Sequence, residues 1–304
     1  MKGRFKVKKT HKSILFAGYQ IKLMLVPFLI LFFVFMVLPV AYSMVLSFFD
    51  YDVMIGAKWT GLGNYIYMFF EDSVFKIALK NTLIFAVITG PIGFMLAFVL
   101  AWFINEFSGM ARTVISFLFY SPALMGNAYF IWQVLFSGDS YGYINSFLIS
   151  YGFVTEPIQW LKTPQYIVPI IMVVQLWMSM GVSFLSNIAG LQNVDEQLYE
   201  AGAIDGIKNR WYELWYITLP YMKNILLFSA VMQIASSFSV GQICMTLAGF
   251  PSVNYSAETI ITHLTDVGTM RYEMGLACAM SFFLFLIMAV TRLIIGKILN
   301  ALGR

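Results

Sequence analysis

Tyr199-Glu200-Ala201-Gly202-Ala203-Ile204-Asp205-Gly206 forms a polar stretch, and eleven residues beyond Gly206 the chain continues with Ile217-Thr218-Leu219-Pro220. The stretch lies between two long apolar runs, where a membrane protein would otherwise have a plain connecting loop. It mixes charged residues with residues that have almost no side chain. We interpret it as a surface on which another protein docks, and the rest of the chain indicates what kind of protein presents that surface.

The composition of the 304-residue chain indicates an integral membrane protein. Hydrophobic residues make up 60% of the sequence, charged residues make up 11%, and the mean hydropathy is +0.78. Soluble domains carry roughly 25% charged residues, and a bilayer crossing needs about 20 apolar residues. The uncharged runs that could cross are residues 23–49, 81–105, 113–138, 163–194, 224–257 and 274–291. They are too long and too uniformly apolar for barrel strands. We therefore predict an all-α polytopic protein with six transmembrane helices.

Lysines and arginines are retained on the cytoplasmic side of membrane proteins, so their positions predict the orientation. With the N-terminus inside, fourteen of these residues are cytoplasmic and five are on the outer side. The five are Lys58, Lys76, Lys80, Lys162 and Arg271. We therefore expect both termini, and the stretch around Glu200, to lie in the cytoplasm.

Residues 1–22 form a basic cytoplasmic tail, and residues 23–304 form one transmembrane domain without a flexible linker. The tail is an orientation signal that can bind anionic lipid headgroups, and we expect no nucleic-acid partner. The first apolar run is much longer than the roughly 7 to 15 residues of a signal-peptide core, so we expect a retained helix.

The stretch around Glu200 predicts two short helices that lie flat on the membrane surface. Residues 196–206 favour an amphipathic helix that ends at Gly206, and residues 209–218 favour a second helix. Pro220 fits the first turn of the crossing that follows. The small residues Ala201 and Gly202 would allow close approach by a partner.

On these residues the stretch resembles the EAA loop of permease subunits of binding-protein-dependent ABC importers. The matching parts are Glu200-Ala201-Gly202, Asp205-Gly206 and Ile217-Thr218-Leu219-Pro220. Further matches resemble the carbohydrate branch, the maltose-like permeases, over nearly the whole chain. They are Gly61-Leu62-Gly63-Asn64-Tyr65, Asn81-Thr82, Pro122, Trp132, Gly142 with Asn145, Gly190-Leu191-Gln192, and Gly275 with Ala277 and Ala279.

The chain departs from the family pattern at several positions. Gly202 replaces the second alanine of the loop, which costs the helix about 1 kcal/mol. Ile207 stands where relatives often have alanine, and Phe250 interrupts a Gly-Gly-Pro motif. Ser239 stands where many relatives have aspartate, so the substrate of any one relative cannot be transferred to this chain.

The resemblance implies a type I ABC importer permease of the bacterial plasma membrane that moves a sugar or oligosaccharide by alternating access. It implies a second, homologous permease subunit as the heterodimer partner, two cytoplasmic ATPase subunits, and an extracellular solute-binding protein. The resemblance assigns ATPase docking to Glu200, Ala201, Gly202, Asp205 and Gly206. The chain has no phosphate-binding loop of its own, since Gly296-Lys297 is followed by Ile298. We expect no enzymatic activity, catalytic residue or cofactor.

Polar side chains within membrane helices usually face the interior of the bundle. In the maltose-like permeases, the two helices that flank the loop line the substrate path. The corresponding candidates here are Gln175, Trp177, Ser179, Ser183, Gln233, Ser236, Ser237 and Ser239. Serines and amides can equally hold membrane helices together, and both interpretations stay open for each residue.

Other functions are less well supported by the sequence. The main alternative is a self-sufficient channel or secondary transporter, which the docking stretch and the absence of a visible internal repeat disfavour. Residues 257–267 predict a short helix at the outer surface, and His263 lies on it without another histidine nearby. We therefore expect no metal site.

Overall fold

Long apolar helices dominate the computed structural model, which describes residues 23–52, 54 and 56–302. Four helical stretches are long and apolar enough to cross a bilayer: Leu23–Leu46, Ser73–Asn105, Lys223–Ala248 and Met274–Ile298. A fifth crossing can form from Pro164–Met178 and Val182–Gln192, two helices bent by 40° at a short break. The protein is therefore a multi-pass, mainly helical membrane protein. The predicted basic tail, residues 1–22, lies outside the described residues.

The elements are numbered here in chain order. The helices are α1 Leu23–Leu46, α2 Gly63–Ile66, α3 Ser73–Asn105, α4 Gly109–Leu124, α5 Phe130–Leu135, α6 Tyr143–Ser150, α7 Pro164–Met178, α8 Val182–Gln192, α9 Glu196–Ile204, α10 Arg210–Glu213, α11 Lys223–Phe238, α12 Gly241–Ala248, α13 Ile260–Thr265 and α14 Met274–Leu302. Wider π-helical turns lie at Phe33–Val37, Tyr67–Glu71, Leu214–Thr218 and Asp266–Met270. The strands are β1 Phe49–Asp52 and β2 Gly56–Trp59.

The third predicted crossing, residues 113–138, is not one continuous helix. Helix α4 contributes 16 residues and ends at Leu124. Gly126 then adopts a left-handed conformation with φ of 59°, and the short helix α5 follows. A left-handed residue ends an α-helix, so this run supplies a helix shorter than about 20 residues. The count of six crossings stays a prediction.

Helix α3 begins eight residues before the second uncharged run because Asp72 caps it. The Asp72 carboxylate accepts a hydrogen bond from the Phe75 backbone amide at 2.9 Å, which satisfies one of the free amides of the first turn. Lys76 and Lys80 therefore lie in the first turns of the helix, and Lys76 donates to the Phe70 carbonyl at 2.9 Å.

Helix α3 lies at the centre of the bundle and packs against α7, α8, α11 and α13. Its buried face includes small residues, among them Gly90, Gly93 and Ala97. A Cβ atom at Gly93 would lie 2.0 Å from the Gln233 amide nitrogen on α11. Glycine at this position lets the two helices approach each other closely.

Asn64 and Asn145 fasten the loops at the end of the bundle opposite α9. The Asn64 amide donates to the carbonyls of Ser47 and Phe49 at 2.9 and 2.8 Å, beside the antiparallel pair β1 and β2. Asn145 is fully buried, and its amide oxygen accepts from the Trp160 indole at 2.8 Å. Both positions belong to the motifs that carry the family resemblance, and the structure gives each a loop-holding role.

Candidate functional site: a docking segment and a buried polar contact

Helices α9 and α10 form between α8 and α11, where two short helices are predicted. Asp195 caps α9 by accepting from the Gln197 amide at 3.0 Å, and Asn209 caps α10 by accepting from the Trp211 amide at 3.0 Å. Gly206 turns the chain between the helices with φ of 92°, a conformation that favours glycine. We call residues 195–221 the docking segment.

The five residues expected to meet an ATPase divide into two groups. Glu200, Ala201, Asp205 and Gly206 are exposed, whereas Gly202 is buried. A Cβ atom at Gly202 would lie 2.7 Å from Ile217 Cδ1. The close approach that Gly202 permits is therefore between α9 and the turn after α10, within this chain. Ile217 covers Gly202 within this chain, and contact between Gly202 and an ATPase stays a prediction.

Side-chain contacts hold the docking segment together, and one of them joins it to the end of α3. Tyr199 and Thr218 share a hydrogen bond of 2.9 Å between their hydroxyls. Arg210 forms ion pairs with Glu213 at 2.8 Å and with Glu106, just beyond the end of α3, at 2.9 Å. A cavity of about 510 Å³ lies beneath these contacts and is lined by Arg210, Glu106 and Arg112, among others. The segment thus contacts the end of α3 through an ionic bridge that the sequence analysis did not identify.

The environment of Arg210 in the docking segment favours its charged form. The hydrogen bond to Glu213 raises the pKa of Arg210; partial burial opposes this, and the charge of Glu106 adds to it. Arginine is protonated in proteins in any case, so the shift leaves the bridge intact across the physiological range. The Arg210 side chain is 63% exposed, and the bridge is therefore open to solvent.

The predicted path residues meet in a polar contact between α7, α8 and α11. The Ser183 hydroxyl lies 3.2 Å from the Ser229 carbonyl and 3.3 Å from the Gln233 amide oxygen, and its single hydrogen serves one of them at a time. The Gln175 amide donates to the Ser236 carbonyl at 2.7 Å. These contacts join the two helices that flank the docking segment.

The eight candidate path residues differ in their exposure to solvent. Gln175, Ser179, Ser183, Gln233 and Ser237 are buried within this chain. Ser236 and Trp177 are half-buried, and Ser239 is exposed. Trp177 packs edge-on against Trp132, with ring centroids 5.6 Å apart. Gln175, Ser183 and Gln233 hydrogen-bond between helices, whereas the hydroxyls of Ser179 and Ser237 donate to carbonyls three residues earlier. The other three residues retain accessible surface.

Asn187 extends the polar contact by one helical turn beyond Ser183. It is fully buried, and neither of its amide atoms has a hydrogen-bond partner among the described residues. The Gln233 amide nitrogen also has no partner there. Unsatisfied buried polar atoms are costly, so this part of the bundle is held by packing against Gly93 more than by completed hydrogen bonds.

A second pair of ionisable side chains lies at the opposite end of α3. His263 Nε2 is 2.7 Å from the Asp72 carboxylate, and the two side chains are only 3% and 9% exposed. Burial alone would raise the pKa of Asp72, but the hydrogen bonds from His263 and the Phe75 amide and the charge of His263 lower it. The pair joins α13 to the start of α3.

Residues 257–267 contain the short helix that the sequence predicts, α13, and this helix packs into the bundle. Ile260 and His263 are buried against the bundle. The Thr82 hydroxyl accepts from the Ile260 amide at 2.9 Å, and the Asn81 amide donates to the Glu258 carbonyl at 2.9 Å. Polar groups on α3 hold the start of α13 inward, which a hydrophobic pattern alone cannot show. Within the described ranges, no three His, Cys, Asp or Glu side chains lie close enough to hold a metal ion.

Comparison with known proteins identifies similar membrane transport subunits, although no family model matches the chain. The lactose transport system permease protein LacF of Rhizobium radiobacter is 34% identical over 228 residues, which cover 73% of this chain and 74% of that protein. The probable ABC transporter permease protein YesP of Bacillus subtilis (strain 168) is 30% identical over 285 residues, which cover 92% of this chain and 89% of YesP.

Two further comparisons concern oligosaccharides and the fold. The arabinooligosaccharides transport system permease protein AraP of Bacillus subtilis (strain 168) is 28% identical, over 90% of this chain and 86% of AraP. A chain in the crystal structure of a bacterial ABC transporter that imports the acidic polysaccharide alginate superposes with a TM-score of 0.77 at 22% identity. The superposition covers 96% of this chain and 99% of that one. The same fold is therefore present in a solved importer.

Proposed function

The chain belongs to the family of permease subunits of sugar ABC transporters, and from this premise we propose that it imports an oligosaccharide across the bacterial plasma membrane. The observation that carries the proposal is the docking segment, which presents exposed charged and small residues and contacts the end of the central helix α3. Such a segment can transmit a conformational change of a cytoplasmic ATPase to the transmembrane helices. The chain itself performs no covalent chemistry.

The ATPase contact is assigned to the exposed residues Glu200, Ala201, Asp205 and Gly206. Ala201 and Gly206 leave the backbone accessible to a partner. The carboxylates of Glu200 and Asp205 give the surface a negative charge, which a complementary charge on the ATPase would match. Gly202 supports this surface from beneath by letting α9 pack on Ile217. By analogy with the family, two ATPase subunits, a homologous second permease and an extracellular solute-binding protein complete the assembly. One solved relative is in complex with a periplasmic protein that holds an alginate pentasaccharide.

The proposed topology has six crossings and both termini in the cytoplasm. The distribution of lysine and arginine supports this orientation, and the broken helices α4 and α5 would supply the third crossing. Residues 23–304 would form the transmembrane domain, with the coupling loop at about residues 195–220. A cysteine placed at Lys208 should be protected from an impermeant thiol reagent in intact cells, and labelling from outside would overturn the topology.

The substrate path is proposed to run along the surface that Trp177, Ser236 and Ser239 share. An aromatic face and hydroxyl groups suit a sugar, which has flat apolar faces and many hydroxyls. Gln175, Ser179, Ser183, Gln233 and Ser237 would form the layer behind this surface. Ser239→Val with Trp177→Ala should weaken uptake in assembled complexes, and unchanged apparent affinity and rate would place the path elsewhere.

The function is tested by reconstituting the chain with the ATPase, second permease and binding protein encoded by neighbouring genes. Oligosaccharide uptake should require ATP and the binding protein. Glu200→Arg should lower substrate-stimulated ATP hydrolysis, whereas Glu156→Arg, an exposed charge reversal far from the docking segment, should not. Uptake that persists without the ATPase would favour the alternative of a self-sufficient channel or secondary transporter.

A further inference from the structure

A groove between α11 and α14 combines an apolar floor with two basic side chains. Its volume is about 710 Å³. Helix α11 contributes Val231, Ile234 and Ala235, and the second half of α14 contributes the remaining lining. The polar lining residues are Arg292 and Lys297, and none of the described residues that line the groove is acidic. This separation of apolar and positive surface matches an anionic amphiphile.

The two basic residues lie at the depth of lipid headgroups. Helix α14 starts at Met274, directly after the exposed Arg271 and Glu273, which mark one membrane surface. Given the α-helical rise per residue, Arg292 lies about 27 Å along the axis from Met274 and Lys297 about 35 Å. The hydrocarbon core is about 30 Å thick. Arg292 and Lys297 therefore reach the interface at the side of the docking segment.

The basic pair is available for a ligand. Neither Arg292 nor Lys297 forms a hydrogen bond or ion pair with another residue in the described part of the chain, and both are exposed. Free space also lies beside Gly296, where a Cβ atom would meet no atom within 4 Å. Two apolar residues that line the groove are themselves exposed: Leu293 is 65% exposed and Phe285 is 53% exposed. The groove is thus open at the surface of this chain.

We propose that this groove binds an anionic phospholipid, with the phosphodiester between Arg292 and Lys297 and an acyl chain along the apolar floor. Basic pockets between transmembrane helices on the cytoplasmic side recognise acidic headgroups in this manner. The proposed orientation places the groove in the cytoplasmic leaflet, but the site itself does not depend on the transported substrate. An apolar helix of a partner protein would fill the groove but leave the positive charges of Arg292 and Lys297 without a counter-charge. The two charges therefore favour an anionic lipid as the ligand.

The test measures phosphatidylglycerol bound to the delipidated, fully assembled complex by native mass spectrometry. Arg292→Gln with Lys297→Gln should weaken phosphatidylglycerol binding about 30-fold, since each basic residue near the surface contributes to the attraction. Phosphatidylcholine binding should change little. The matched control is Lys58→Gln with Lys80→Gln, which removes the same charge at the opposite end of the bundle and should bind phosphatidylglycerol as the wild type does.

A second variant fills the groove and keeps the charges. Gly296→Leu places a side chain in the free space and suits a helix better than glycine, so it should reduce phosphatidylglycerol binding without destabilising α14. Equal phosphatidylglycerol binding in the wild type and both groove variants would overturn the proposal. Loss of the second permease from Gly296→Leu complexes, with lipid binding unchanged, would also overturn it, because a protein helix would then occupy the groove.

Discussion

The central helix α3 carries an acidic residue just outside each end, and the two ends differ in how that residue is paired. At one end Asp72 meets His263, and both side chains are nearly inaccessible. At the other end Glu106 meets Arg210, and their side chains are 45% and 63% exposed. Buried charges must be paired to avoid a large penalty, whereas exposed pairs contribute little to stability. The difference indicates a rigid anchor at α13 and an adjustable contact at the docking segment.

The largest expected effect comes from removing one partner of the buried pair. His263→Ala leaves the Asp72 carboxylate buried without its partner, and we expect the free energy of unfolding to fall by about 3 to 5 kcal/mol. Thermal unfolding of the detergent-solubilised complex measures this. The control, Asp72→Asn with His263→Gln, removes both charges and should lose less. Equal losses in the single and double variants would show that the charge pairing does not hold α13.

Filling the space at Gly202 is expected to have the next largest effect. Gly202→Ala brings a methyl group against Ile217, and overpacking of this kind costs about 1 to 3 kcal/mol. The variant should weaken retention of the ATPase during purification, because α9 shifts. Ile217→Val removes the clashing Cδ1 atom, so the double variant should recover ATPase binding. Recovery would distinguish a packing role of Gly202 from direct contact with the ATPase, for which Ile217→Val would bring no rescue.

The pH dependence of the buried anchor should be confined to acid solution. Because the pKa of Asp72 is lowered from 3.8 in the folded protein, its carboxylate contributes stability above that value, and the contribution is lost as the pH falls through the folded pKa. The stability difference between the wild type and Asp72→Asn should therefore shrink as the pH falls below about 4. A difference that instead grows as the pH falls below about 4 would contradict this sign.

The exposed bridge should contribute least to stability. Arg210→Gln removes the solvent-exposed ion pairs with Glu106 and Glu213, so the free energy of unfolding should change by less than about 1 kcal/mol. A double-mutant cycle with Glu106→Gln measures the coupling energy directly, and high salt should reduce it. A coupling energy as large as that of Asp72 and His263 would show that the two ends of α3 are anchored alike, and the comparison would fail.

Sequence patterns identified the elements that depend on composition and local chemistry. Long uncharged runs predicted the membrane helices, since an apolar run of sufficient length has no other stable environment. The amphipathic pattern of residues 196–206, the break at Gly206 and the position of Pro220 made the two short helices of the docking segment predictable, because those signals act within a few residues. The family motifs around Glu200 and Asn64 then identified the class of protein, which the relatives confirm.

The sequence by itself determined the membrane class, the presence of long apolar helices and the family, because these follow from local hydrophobicity and short motifs. Only the tertiary structure decided which side of each helix is covered. It placed Gly202 beneath Ile217, buried Gln233 against Gly93 and drew His263 onto Asp72. These pairs are separated by up to 191 residues, and periodicity carries no information about which distant helix a face will meet. A polar residue in a membrane helix has the same local pattern whether it holds a neighbouring helix or faces a solute.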